Sequence, residues 1–265
     1  MLGLPIAFSL QLNDAGVVNE PIYSGQYVAS GWLEQPARGV FRRPQGTVSW
    51  EQVVISLQTM MGFPVSVGGR SALELQGYAH YLPQVQSAIH LYTDKKVPGW
   101  VLKIPIDPSF TLHNRLRLFP PITMPPDTLS LTEPVREDEV ALEGALRMIP
   151  WGHWQWPLVV STPERAYLEL LDELSHNETF HMADMLMEGL VNLSPRRLQL
   201  LLESAGSVKV KRLFFFFADR HQHRWLDRID RNKIDLGKGK RMLVKGGKFD
   251  RKYQITVPDI YGEGA

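Results

Sequence analysis

Phe8-Ser-Leu-Gln-Leu-Asn-Asp-Ala15, then Gly16, then Glu20 to Ser30 form the stretch that decides how this chain is read. The first segment has the apolar spacing of a short amphipathic helix. Gly16 supplies the positive φ that a tight turn between helices requires. A second helix follows over Glu20 to Ser30, with Asn19 at its N-cap and Pro21 in its first turn, where a missing N–H is harmless. After Gly31, Trp32-Leu33-Glu34 reads as a strand, Gln35 to Gly39 as a turn, and Val40-Phe41-Arg42-Arg43-Pro44 as the returning strand. Helix, turn, helix and β-hairpin, with arginines on the return, is the order of a winged helix-turn-helix. In that arrangement the second helix enters the major groove of double-stranded DNA and the wing holds phosphates. The groove-facing set is Tyr23, Ser24, Gln26, Tyr27 and Ser30, with Gln26 suited to an adenine edge. That helix face lacks Lys and Arg, so backbone contacts fall to Arg38, Arg42 and Arg43.

Working outward, Pro44-Gln-Gly-Thr-Val48 separates this DNA-binding unit, residues 1–47, from a larger one, residues 48–265. The larger unit opens with a helix from Ser49 to Met61. Ser49 and Gln52 stand in capping-box register, and Trp50, Val53, Val54 and Leu57 form its apolar stripe. Phe63 to Val67 reads as a strand, and Ser71 to Ala79 as a helix capped by Ser71 with Glu74. Between Ala88 and Leu131 the runs are short: Ile89 to Tyr92, Trp100 to Ile104, Phe110 to Leu112, Leu116 to Phe119 and Asp127 to Leu131. Interrupted by proline and glycine, they predict a twisted sheet, to which Leu158 to Val160 belongs. From Ser161 helices dominate. A Ser161/Glu164 capping box opens one that runs to about Leu174. Others span Phe180 to Leu190, Pro195 to Gly206, and Val208 to Arg220. Phe214 to Phe217 cover every face of the last helix, so it is expected to be central. Lys238 to Val257, turned at Gly246-Gly247, predicts a closing hairpin. The fold class is therefore α+β: a winged helix-turn-helix, then a mixed α/β domain with a central sheet and a C-terminal helical set.

Composition narrows the function. Cysteine is absent, which excludes disulfides, thiolate metal sites and a cysteine nucleophile, and fits a cytoplasmic location. No basic-then-apolar leader and no apolar run of about 18 residues is present, so neither a signal peptide nor a membrane partner is expected. The net charge is only +1, but its distribution is uneven. Lys209 to Lys252 holds fifteen Lys or Arg and five Asp, a local +10 against −9 elsewhere. Such asymmetry points to a polyanion or an acidic protein as partner, with Lys209, Lys211, Arg212, Lys245 and Lys248 as the basic surface.

Catalytic signatures are weak by comparison. Gly68-Gly69-Arg70 precedes a helix, where free N–H groups suit an anion. A plain turn with Arg70 paired to a carboxylate is the preferred reading. Lys245-Gly-Gly-Lys248 lacks the spacing and the trailing Ser/Thr of a P-loop. The histidines show no HxxxH or HExxH spacing, so no metal is expected. Glu164, Glu169, Asp172 and Glu173 read as the wet face of an amphipathic helix. These features favour a protein without catalytic residues or cofactor.

The chain also carries an ordered series of motifs. It runs Trp32-Leu-Glu, Arg38-Gly-Val-Phe-Arg-Arg-Pro44, Trp50, Val67-Gly-Gly-Arg-Ser-Ala-Leu-Glu-Leu-Gln-Gly-Tyr-Ala-His-Tyr-Leu82, Ser161-Thr-Pro-Glu-Arg165 and Leu168-Glu-Leu-Leu-Asp-Glu-Leu174. It continues with Ala183-Asp-Met-Leu-Met-Glu-Gly-Leu190, Ser207-Val-Lys-Val-Lys-Arg-Leu213 and Lys240-Arg-Met-Leu-Val-Lys-Gly-Gly-Lys248. From about Ser9 to Pro258 this series resembles the AbiEi family, the antitoxins and transcriptional regulators of AbiE-type (type IV) toxin–antitoxin systems. The resemblance implies a winged-helix domain that represses its own operon by binding inverted repeats. It also implies a C-terminal domain that counteracts a nucleotidyltransferase-like toxin by a route that need not involve a stable complex. Inverted repeats imply two protomers per operator, so a homodimer on DNA is expected. The alternatives are an interaction module without sequence-specific repression, and a nucleic-acid-processing enzyme targeted by its winged helix.

Overall fold

A computed structural model describes residues 6–8, 26–37, 40–42, 44, 48–78, 88–122, 129, 143–174 and 177–261. At the N-terminal end, β1 (Ile6–Phe8), β2 (Glu34–Ala37) and β3 (Val40–Arg42) form an antiparallel sheet in the order β1-β3-β2. Phe8 thus ends a strand instead of opening a helix, because it pairs with Val40. The rest of that expected helix lies outside the described residues. Residues 26–29 make a helical turn, and the Ser30 N–H donates to the Gln26 carbonyl at 2.9 Å. Gly31, at φ 75°, turns the chain out of it. The hairpin is tighter than the sequence reading, with Ala37 directly opposite Val40. Pro36 is tolerated in β2 because β2 is an edge strand, where a missing donor breaks no ladder.

The main body is built on a five-stranded mixed sheet, order β6-β5-β4-β8-β7. Its strands are β4 (Val65–Val67), β5 (Ala88–Thr93), β6 (Ser109–Asn114), β7 (Leu146–Trp151) and β8 (Trp156–Ser161). β5 and β6 are parallel; β7 and β8 form an antiparallel hairpin. The main-chain ladder between β4 and β8 is short, at Val67 opposite Val160. A buried side chain supplements it. Gln58 Nε2 donates to the carbonyls of Val65 (2.9 Å) and Val159 (3.1 Å), and its Oε1 accepts from the Val159 N–H at 3.0 Å.

Gln58 sits on α1 (Trp50–Thr59), which packs on β4 and β8. The capping box forms as the sequence predicts: Ser49 Oγ accepts from the Gln52 N–H, and Gln52 Oε1 accepts from the Ser49 N–H at 3.0 Å. Val40 is fully buried in the same apolar cluster as Trp50 and Val53, so the N-terminal sheet is continuous with the main core. Two other predicted caps do not form. α2 (Gly69–Leu75) starts two residues before Ser71, whose hydroxyl instead accepts from the His90 N–H at 3.0 Å. Ser161 ends β8, and α3 (Pro163–Asp172) starts on Thr162 with Pro163 in its first turn. Two predicted strands are also turns. Pro98-Gly99 bends the chain so that the Val101 N–H meets the Pro98 carbonyl. Asn114 accepts the Leu116 N–H at 3.0 Å and starts a 3₁₀ turn over Arg115–Arg117.

α4 (Phe180–Gly189), α5 (Pro195–Ser204) and α6 (Val208–His221) follow the predicted spans. Thr179, Ser194 and Ser207 cap them through side-chain oxygens. α3 is buried over all ten of its residues, with α2, α4, α5 and α6 packed around it. Phe214, Phe215 and Phe217 of α6 are fully buried, and they meet Tyr167 edge-on, Tyr253 stacked and Phe180 at a tilt, respectively. The closing hairpin joins β9 (Lys248–Asp250) to β10 (Ile255–Val257). Its turn lies at residues 251–254, not at Gly246-Gly247.

Candidate functional site

Three surfaces carry the residues singled out from the sequence. The first is the helical turn and hairpin near the N-terminus. Gln26, Tyr27 and Ser30 are exposed there, Tyr27 by half its surface, and Trp32 beside them is 72 % exposed. Ser30 Oγ donates to the Tyr27 carbonyl at 3.2 Å. Arg42 lies in β3 opposite Glu34. Tyr23, Ser24, Arg38 and Arg43 lie outside the described residues.

The second is the basic C-terminal segment, which the structure divides. Lys209 Nζ donates to the carbonyls of Asp172 (2.7 Å) and Leu174 (3.1 Å), so it closes the C-terminal end of α3. Lys211 is buried. Arg212 is buried too and donates to four carbonyls, those of Leu236, Gly237, Gly239 and Gln254. Lys209 and Arg212 therefore tie main-chain carbonyls and Lys211 lies in the interior, because α6 is central and packed by its neighbours. Lys245 and Lys248 are exposed, as are Lys233, Lys238, Lys240, Arg241, Arg251 and Lys252.

The third surface is a polar cleft that the motifs did not reveal. The expected wet face of α3 is buried: Glu164, Glu169, Asp172 and Glu173 are each at most 8 % exposed. Glu164 accepts from the Ser194 N–H at 2.7 Å and from Arg197, tying α3 to α5. Glu169 accepts from Arg165 Nε at 2.7 Å and from the Gly69 N–H at 3.0 Å. The expected anion site at Gly68, Gly69 and Arg70 is thus filled from within: Glu169 takes the Gly69 amide, and Arg70 pairs with Glu74 at 2.6 Å. Gly68 must be glycine, since a Cβ there would stand 2.3 Å from Glu169 Oε2 and 2.4 Å from the Tyr92 ring.

Beyond Glu169 a cleft of about 440 Å³ opens between β6 and the C-terminal end of α3. Tyr92, His113, Arg115, Asp172, Glu173 and Asn177 are among its walls. His113 Nδ1 is 3.2 Å from Glu173 Oε1, and its Nε2 is 2.9 Å from His90 Nδ1. A carboxylate only accepts, so Nδ1 of His113 donates to Glu173, and Nε2 is left to share the hydrogen bond with His90. The hydrogen bond from His113 draws Glu173 down to about 2. Burial, with His113 adjacent, brings His90 down to about 4, so this imidazole is neutral near pH 7. Burial pushes Glu178, 3.9 Å from His90 Nε2, up to about 7. The Tyr92 ring stacks on His113 with centroids 4.6 Å apart. The one local signal for this cluster was period-two spacing, which places His90 with Tyr92 on β5 and Thr111 with His113 on β6, on one face of adjacent strands. His221 and His223 lie elsewhere, the first bonded to Asp184 and the second to the Met187 carbonyl. Among the described residues no group of three or more His, Asp or Glu is placed to hold a metal ion, and no helix is long and apolar enough to cross a membrane.

Comparison with known proteins places this architecture. The family model described as transcriptional regulator, AbiEi antitoxin, type IV TA system matches residues 86–258. The model described as transcriptional regulator, AbiEi antitoxin N-terminal domain matches residues 7–84. No curated protein sequence matches the chain. Among solved structures, the crystal structure of the Rv2827c protein from Mycobacterium tuberculosis is similar, with a TM-score of 0.57 over 95 % of this chain and 85 % of that one. At 15 % identity that likeness shows a shared fold alone.

Proposed function

The chain belongs to the AbiEi family, transcriptional regulators and antitoxins of type IV toxin–antitoxin systems, and from that premise we propose that it represses its own operon through a winged helix-turn-helix in residues 1–47. The observation that carries this reading is the exposed helical turn with Gln26, Tyr27 and Ser30, leading through Gly31 into the hairpin whose returning strand bears Arg42. Tyr23, Ser24, Gln26, Tyr27 and Ser30 face the groove, and Arg38, Arg42 and Arg43 hold phosphate. The operator is an inverted repeat occupied by two protomers, and the protein acts in the cytoplasm, where that operator lies.

Residues 48–265 carry the antitoxin function in this proposal, countering a nucleotidyltransferase-like toxin without catalysis of their own. The exposed lysines Lys245 and Lys248 serve as the basic surface. Two measurements test the proposal. The first is a titration of the full chain on its own upstream DNA and on scrambled DNA at two salt concentrations. Tighter binding to the upstream DNA, weakening with salt, is expected; equal affinity for both DNAs rejects sequence-specific repression. The second is toxin rescue by Lys245→Glu/Lys248→Glu, which is expected to fail while operator affinity is retained. Undiminished rescue rejects this basic surface.

A further inference from the structure

We propose that the cleft between β6 and the C-terminal end of α3 binds a small polyhydroxylated anion, a sugar phosphate or a hydroxy acid, with Arg115 anchoring its oxyanion. Each carboxylate lining the cleft is already answered: Glu169 by Arg165, Asp172 by Arg117 at 3.2 Å, and Glu173 by His113. Arg115 is different. It is 1 % exposed, yet its guanidinium is paired with no carboxylate among the described residues. Nη2 donates to the carbonyls of Pro64 (2.8 Å) and Tyr92 (3.0 Å), whereas Nε and Nη1 are buried without any hydrogen-bond partner.

A second group in the same cleft points the same way. The Tyr92 hydroxyl is also buried and without a partner. Unpartnered buried polar groups are rare, and a buried cation with unmade hydrogen bonds is costly unless something completes it. The orphaned groups here are donors on a guanidinium and a phenol, which together suit an oxyanion. Of the remaining polar lining, Asp172 and Glu173 only accept, while Thr111, Asn114 and Asn177 can accept as well as donate. All of these groups accept from hydroxyls, and the two carboxylates disfavour a second negative charge. A volume of about 440 Å³ exceeds what a bare phosphate fills and lies within the range of organic-ligand pockets. One oxyanion at the Arg115 end and a hydroxyl-rich body toward Glu173 satisfy both sets.

The test is calorimetric titration of the full chain with ribose 5-phosphate, gluconate, inorganic phosphate and ribose. Saturable binding of ribose 5-phosphate or gluconate is expected, and which of the two binds identifies the oxyanion. Ribose, which lacks the oxyanion, is expected not to bind. Two variants locate the site. Tyr92→Phe deletes a hydroxyl that holds nothing in the fold, so its thermal midpoint should match the parent while affinity drops by about fivefold or more. Arg115→Lys should lower affinity further. Binding of neither organic anion, tighter binding of inorganic phosphate than of both, or full affinity in Tyr92→Phe overturns the proposal. Operator binding and toxin rescue are read in separate assays, so either conclusion can fail without the other.

Discussion

Glu169 shows how a single side chain changes meaning between sequence and structure. By spacing it belongs to an amphipathic helix's wet face; in the fold it is 1 % exposed and bridges Arg165 to the Gly69 amide. Removing one partner of a buried ion pair strands the other, at about 3–5 kcal/mol. Glu169→Ala should lose stability on that scale in urea unfolding, and a loss below about 1 kcal/mol would show that Arg165 finds other company. Glu178 makes a pH-dependent prediction. Its carboxyl titrates near 7 when folded, above the unfolded value of 4.5, so the neutral form favours the fold. That contribution is complete below about pH 4.5 and is lost as pH rises through 7. Glu178→Gln removes the titration, so its stability relative to the parent should rise by about 1–3 kcal/mol between pH 5 and pH 8. A pH-independent difference would contradict the assignment. Glu173 has the opposite sign: its folded value near 2 stabilises above about pH 4.5 and fades as pH falls toward 2.

Helix starts show what an element owes to its own sequence. Three serines carry the same local signal, a hydroxyl three residues ahead of Gln or Glu, and they differ in outcome. Ser49 caps α1 because its own backbone is extended and both members of the box face each other. Ser71 is already inside α2, since the glycines before it let the helix begin earlier around the Tyr92 ring. Ser161 is held in β8 by pairing with Leu146 of β7. Ser49→Ala is therefore expected to cost about 1 kcal/mol, the usual value of a cap. Ser161→Ala, which deletes a buried hydroxyl without a partner, should stay within about 0.5 kcal/mol of the parent. Equal losses at the two positions, measured by urea midpoints, would show that local register outranks strand pairing. α4, α5 and α6 were legible nearly to the residue because cap, periodicity and end signals agree over ten or more positions. β7 was not read at all, because Arg147 and Pro150 break its apolar alternation and its strand character comes from pairing with β8.

At the scale of the whole molecule, the charge asymmetry survives folding in reduced form. Lys209, Lys211 and Arg212 are consumed in holding main-chain carbonyls or lie in the interior, while Lys245, Lys248 and their exposed neighbours keep one end of the chain basic. Two cationic regions separated along the chain, the hairpin and this segment, make salt dependence a means of telling them apart. If Arg42 and Arg43 each neutralise a phosphate, Arg42→Ala/Arg43→Ala should weaken operator binding and flatten the slope of log affinity against log salt by about two units. An unchanged slope would remove the hairpin from the DNA interface. Val40 is buried in the main core cluster, so such substitutions are best made in the full chain, where the hairpin keeps its support.

The amino-acid sequence by itself determined the family, the α+β class, the helical C-terminal set and the burial of Phe214 to Phe217. These rest on signals contained in neighbouring residues: caps, periodicity, turn residues and the order of motifs. Only the tertiary structure decided which charged residues stay wet. Desolvation depends on what packs on all sides of a side chain, and α3 is enclosed by elements from distant parts of the chain. The cleft has the same origin. His90, His113, Glu173 and Glu178 meet because β5 and β6 lie side by side beneath the end of α3, and no local pattern reports a contact between residues so far apart in sequence.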